Sequence, residues 1–184
     1  MLRFLKNLIQ LMLSPGHAWE DISNEDAPPE KLISGGLYPL MAIMLITAVV
    51  NGAFAIGSFD LVRQLQIALA QFIALFIALY AGRTLIETFL PRYNETGEND
   101  PVGAATVAVY ATGIMTLIQI VENLIPVELI VIKFLPAFAA VIVWKAQNYL
   151  DLLPEHSGLF MVIAIGVLIG PVLLINLVMG LLIA

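Results

Sequence analysis

Long apolar runs constrain the fold of this chain more than any other feature. Five segments, at about residues 33–56, 61–89, 102–125, 127–150 and 159–183, are long and apolar enough to cross a bilayer. A hydrocarbon core about 30 Å thick needs roughly 20 such residues in a helix. A helix also satisfies its own backbone hydrogen bonds, as hydrocarbon requires. The sequence therefore predicts an all-α fold, a polytopic membrane helical bundle with about five transmembrane helices.

Composition agrees with this class. Of 184 residues, 60% are hydrophobic and 12% are charged, whereas a soluble domain has roughly 25% charged residues. The spans and their short loops fill nearly the whole length, so residues 1–184 are predicted to form a single transmembrane domain in a lipid bilayer. The absence of cysteine excludes disulfides and thiolate sites. The net charge of −6 speaks against a nucleic-acid partner.

Residues 1–14 show the pattern of an amphipathic helix that stops at Ser14-Pro15-Gly16. Its polar positions are Arg3, Lys6, Asn7, Gln10 and Ser14, and its apolar face carries Leu2, Leu5, Leu8, Ile9 and Met12. This pattern predicts an interfacial helix lying on the membrane. Packing on the protein's own loops and a cleaved signal are the alternatives.

Lysine and arginine predict the orientation of the chain in the membrane. With a cytoplasmic N-terminus and five spans, six positive residues face the cytoplasm and two face the other side. The six are Arg3, Lys6, Lys31, Arg83, Arg92 and Lys145, and the two are Arg63 and Lys133. The N-terminus is therefore predicted to be cytoplasmic and the C-terminus to lie on the far side.

Small residues recur at helical intervals in two of the spans. Span two carries Ala70, Ala74, Ala78 and Gly82, and span five carries Gly166 and Gly170. Such residues let the backbones of membrane helices approach closely. We predict helix-packing faces at both places. The glycine pair has two interpretations, packing within the bundle or contact with a second copy.

The most suggestive polar set is Glu122, Asn123, Glu128 and Lys133. Glu122 and Lys133 flank Pro126 and lie roughly 6–10 Å from the predicted hairpin tip, at about 1.5 Å per residue. Charged groups inside a membrane are costly and often functional. An ion or proton pathway is one interpretation. A pair that fixes the hairpin, or side chains that reach the headgroups, is the other.

Motifs for catalysis or metal binding are missing from the sequence. His17 and His156 fall outside the spans, and no H-E-x-x-H pattern or glycine-rich phosphate loop exists. No span contains a histidine that could serve an intramembrane serine, and Asp60 and Asp151 lie only at span ends. We therefore predict no catalytic residue, no cofactor, no metal site and no enzymatic activity.

Diffuse sequence features along nearly the whole chain carry a family resemblance. They are Ser14-Pro15 with Trp19 and Ile22, the acidic loop through Tyr93, Asn94 and Asp100-Pro101, Val109-Tyr110-Ala111-Thr112, Trp144 with Tyr149-Leu150, and a glycine-bearing last span. With five spans, this arrangement resembles the Yip family of Rab-GTPase-interacting membrane proteins, and specifically its short bacterial members. The resemblance implies a multi-pass protein of the cell inner membrane without known catalysis.

Two departures from the Yip pattern limit what the resemblance implies. The chain has no aspartate-leucine-tyrosine-glycine-proline motif, and Gly113 and Ile114 stand where bacterial relatives often have proline. Rab GTPase binding is therefore not carried over. The function implied is a scaffold, partner-binding or membrane-organising role, with lipid, other membrane proteins or a second copy as partner. The alternative is a small transporter or channel component that uses Glu122 and Lys133.

The predicted topology can be tested by cysteine labelling, because the chain has no cysteine of its own. We expect Ser14→Cys and Glu95→Cys to react with an impermeant maleimide from the cytoplasmic side, and Ala184→Cys from the opposite side. Labelling of Ser14→Cys and Ala184→Cys from the same side would contradict an odd number of crossings.

Overall fold

The structure, a computed structural model, describes residues 1–25, 27–54, 60–125 and 134–183. Over these residues it is an all-α bundle without a β-strand, which confirms the predicted fold class. The helices are α1 (Leu2–Leu13), α2 (Pro15–Asn24), α3 (Pro29–Leu32), α4 (Tyr38–Phe54), α5 (Leu61–Phe89), α6 (Pro101–Leu124), α7 (Leu135–Trp144) and α8 (Pro154–Ile183). A π-helical turn, Ile33–Leu37, joins α3 to α4.

Four helical segments of the described chain are long and apolar enough to cross a membrane. They are Pro29–Asn51, Leu61–Arg92, Pro101–Leu124 and Pro154–Met179, and they coincide with predicted spans one, two, three and five. The predicted span at 127–150 contributes a shorter apolar helix, Leu135–Gln147. Residues 126–133 lie outside the described part, so the count of five crossings stays a prediction.

Helix α6 forms the centre of the bundle. Within its apolar window 89% of the residues are buried, against 33–39% in the other three long helices. It contacts α4, α5, α7 and α8. Its first half is rich in small residues, including Gly103, Ala104, Ala108 and Ala111, and these let neighbouring helices approach from several sides. The other long helices expose apolar side chains such as Leu69 and Leu174, which suits contact with lipid.

The small-residue face of α5 is largely buried, and at Gly82 it lies against α8. Ala74, Ala78 and Gly82 are buried, whereas Ala70 is half-buried. A Cβ atom at Gly82 would overlap the side chain of Leu168, so the α5 backbone at Gly82 lies directly against α8.

Gly166 and Gly170 of α8 do not pack against the described part of the bundle, which was one of the two interpretations of this pair. Cβ atoms added at Gly166 and Gly170 would meet open space among the described residues. Exposed apolar side chains, including Leu159, Ile163 and Leu173, continue the same face of α8. The pair therefore lies on an outward-facing apolar surface of this helix.

Helix α1 is docked on the bundle by one face. Phe4, Leu8 and Leu11 are buried, and Cβ atoms at Gly36 and Gly113 would crowd Phe4. Asn7, which the sequence placed on the polar outer face, is only 5% exposed. That placement was wrong because a partner on α6 satisfies the amide inside the protein. Leu8, placed with Leu2 and Ile9, points inward while those two stay exposed.

We predict that Gly82→Val lowers the stability of the bundle, because valine must displace Leu168. Overpacking of this kind costs about 1–3 kcal/mol of unfolding free energy. Gly166→Val is the matched control, because it makes the same change in helix propensity at a position where the new side chain meets open space. Thermal unfolding in nanodiscs measures both variants. Equal losses of stability in the two variants would contradict close packing at Gly82.

Candidate functional site

The N-terminal helices meet the bundle through a polar contact buried under α1. The Asn7 Nδ2 group donates to the Tyr110 hydroxyl at 3.0 Å and to Glu25 Oε2 at 2.9 Å. The Phe4 ring stacks on the Tyr110 ring with centroids 5.3 Å apart. Tyr110 itself is 1% exposed, near the middle of α6. Tyr110 of α6 therefore contacts both the amide group of Asn7 and the aromatic ring of Phe4 on α1.

Trp19 anchors α2 beside this contact. Its Nε1 group donates to the Ile142 carbonyl of α7 at 3.0 Å. Its ring lies edge-on to Tyr110 at 6.1 Å and tilted against Tyr149 at 5.4 Å. A buried tryptophan N–H usually finds such an acceptor while its ring supplies apolar contact. We call α1 and α2 together the N-terminal cap, because they close one end of the bundle.

A cavity of about 640 Å³ lies beside the N-terminal cap, at the N-terminal end of α6. Its lining includes the Tyr110 and Tyr149 side chains, three carboxylates and one guanidinium. The charged residues are Glu25, Glu30, Asp100 and Arg83. Asp100 also caps α6 by accepting from the Gly103 backbone N–H at 2.8 Å, and Arg83 lies 3.8 Å from the Glu87 carboxylate. The cavity is thus polar, mixed in charge and partly aromatic.

A second polar cluster is buried at the opposite end of α6. The Asn123 Nδ2 group donates to Gln71 Oε1 at 3.3 Å and to Thr47 Oγ1 at 3.4 Å. Asn51 Nδ2 donates to the Asn123 carbonyl at 2.8 Å. The cluster therefore ties α4, α5 and α6 together. Neutral amides and hydroxyls serve this purpose in membrane bundles at less cost than charges.

Further polar side chains continue the cluster along α6, and some of their polar atoms lack hydrogen-bond partners among the described residues. Thr112, Thr116, Gln119 and Asn123 are spaced by three or four residues, so they share one face of the helix. Thr116 Oγ1 donates to the Thr112 carbonyl at 2.8 Å. Among the described residues, the Thr112 hydroxyl and both amide atoms of Gln119 have no hydrogen-bond partner.

The cavity and the buried cluster occupy opposite faces of α6. Gly103, Thr106 and Tyr110 line the cavity, and at 100° per residue they point away from the face that carries Gln119 and Asn123. Polar side chains from the two sites therefore do not form one continuous track along this helix.

The predicted polar set is divided by the structure. Asn123 is the centre of the buried cluster, whereas Glu122 is half-buried and, within the described part of the chain, forms no hydrogen bond or ion pair with that cluster. Glu128 and Lys133 lie outside the described residues, so their pairing with Glu122 stays a prediction. Sequence reasoning did not identify the roles of Thr47 and Asn51, nor the cavity. The spacing of Thr112, Thr116, Gln119 and Asn123 was the available signal for the cluster.

The described residues contain no group of three histidine, aspartate or glutamate side chains placed to hold a metal ion. Compared with protein-family models, with curated proteins and with solved structures, the chain matches none of them.

We predict that Asn123→Leu destabilises the bundle, because it leaves Gln71 and Thr47 buried without their partner. The expected loss of unfolding free energy is about 1–3 kcal/mol. Adding Gln71→Leu should restore part of this loss, because both members of the pair are then apolar. Thermal unfolding in nanodiscs measures the effect.

The neighbouring substitution Glu122→Gln is the matched control and should change the unfolding free energy by less than about 0.5 kcal/mol. If the double variant is at least as unstable as the sum of the single variants, the contact between Asn123 and Gln71 does not hold these helices together.

Proposed function

We propose that this chain is a non-enzymatic, multi-pass inner-membrane protein of the Yip type that binds a partner or organises lipid. Its working surface is the N-terminal cap with the adjacent cavity, facing the cytoplasm. The sequence resemblance supports the family and the membrane. The distribution of positive residues supports the orientation.

This proposal depends on α1, which has one apolar face buried against the bundle and further apolar side chains exposed on its outer side. While Phe4 and Leu8 dock inward, Leu2 and Leu13 remain 86% and 81% exposed. The exposed cations Arg3 and Lys6 border this outer apolar edge. Apolar side chains beside lysine and arginine suit the boundary between acyl chains and anionic headgroups. The helix thus fits between its own bundle and the surface of a membrane.

The cavity supports a binding role at the same end of the bundle. Its carboxylates, guanidinium and tyrosine rings offer hydrogen bonds and charge of both signs, which fits a polar headgroup or a polar segment of a partner. Its apolar rim includes Val102 and Leu32, which can contact an attached chain. The arrangement therefore favours recognition of an amphiphilic partner.

We predict that the protein, purified in mild detergent, retains a lipid or protein partner that native mass spectrometry detects. Ala27→Trp, which places a large ring at the cavity wall, should reduce retention severalfold. Gly35→Trp is the matched control, because Gly35 is exposed with open space around it and lies outside both the N-terminal cap and the cavity lining. Equal retention by both variants, or no bound partner in the unmodified protein, would contradict a binding role for the cavity.

The same preparation tests the transport alternative. We expect proteoliposome ion flux to remain at the level of empty vesicles, and Glu122→Gln and Lys133→Met to leave it unchanged. A flux that depends on either residue would replace the binding proposal with a transport function.

A further inference from the structure

The face of α6 opposite the cavity holds buried polar atoms that the described residues leave unpaired. Gln119 is 0% exposed, and neither Nε2 nor Oε1 has a hydrogen-bond partner among them. The hydroxyl of Thr112, which is also fully buried, lacks a partner as well. Buried polar atoms in folded proteins are almost always paired with protein or with ordered water. These three atoms therefore require hydrogen-bond partners that the described side chains do not supply.

The neighbouring protein groups are already engaged. Thr116 uses its hydroxyl on the Thr112 carbonyl. Asn123 contacts Gln71 and Thr47 at 3.3 and 3.4 Å, distances at the long end of the hydrogen-bond range. None of these groups forms a hydrogen bond with the Gln119 side chain. The partner of Gln119 has to come from outside the described side chains.

We infer that one or more internal water molecules bind α6 between Thr112 and Gln119. The Nε2 group requires an acceptor and the Oε1 atom requires a donor. A cation would satisfy only the oxygen, and an anion only the N–H, whereas water does both. The Thr112 hydroxyl lies two helical turns before Gln119 on the same face, so it can pair with another water of the same cluster. Such waters typically make about three hydrogen bonds to buried polar groups.

This site is independent of the cavity and of the proposed function. It lies on the other face of α6 and belongs to the same face as the Asn123 cluster. Water there would let the central helix keep neutral polar side chains inside a bundle that is surrounded by hydrocarbon.

Radiolytic footprinting tests the inference, because hydroxyl radicals formed from a bound water oxidise side chains next to it even when bulk water has no access. Met115 is 1% exposed and shares the face of Thr112 and Gln119, so it serves as the reporter. Met161 on α8 is 0% exposed and serves as the buried control within the same molecule. In nanodiscs we expect Met115 to be oxidised severalfold faster than Met161.

Substitutions distinguish oxidation of Met115 by a bound water from oxidation by bulk solvent that enters the bundle. Gln119→Leu removes the unpaired amide and should bring Met115 oxidation down to the rate of Met161. Thr112→Val, which conserves shape, should lower it partly and serves if the first variant does not fold. Ile118→Leu is the matched control and should leave the rate unchanged. Met115 oxidation equal to that of Met161, or unaffected by both Gln119→Leu and Thr112→Val, would overturn the inference.

Discussion

Helix α6 is enclosed by other helices, so its polar side chains must find hydrogen-bond partners inside the bundle. The positions of the neighbouring helices depend on these hydrogen bonds. In an apolar bundle an unpaired polar group is costly, and water is scarce. Tyr110 meets this requirement with Asn7 from the N-terminal cap, 103 residues away in sequence. Asn123 meets it with Gln71 and Thr47 from two neighbouring helices. The polar contacts of one helix thereby position three others, α1, α4 and α5.

These contacts also divide the polar groups of the bundle between its two ends. At one end the N-terminal cap and the cavity present charge, tyrosine rings and an exposed apolar edge. At the other end the Asn123 cluster binds three helices into a closed unit. Because the two sets lie on opposite faces of α6, their polar side chains do not join into one track along this helix.

The sequence predicted the features that depend on local pattern. The apolar runs located four of the helices, and the spacing of Ala74, Ala78 and Gly82 marked a buried face of α5 that meets α8 at Gly82. Features that depend on distant partners were not predictable. Asn7 looked like an outward residue because its partner Tyr110 lies far along the chain. Glu122 and Asn123 belong to one predicted polar set near the hairpin tip, yet neighbouring helical residues point about 100° apart, and only Asn123 faces the cluster.

Hydrogen exchange of the α1 amides in nanodiscs, followed by mass spectrometry, tests most directly whether α6 holds the N-terminal cap. If α1 is held by Tyr110 and its neighbours on α6, the α1 amides exchange slowly, and Tyr110→Ala speeds their exchange while α8 is unaffected. A helix held only by the membrane surface would keep its protection in that variant. Unchanged exchange of α1 in Tyr110→Ala would therefore contradict the central role assigned to α6.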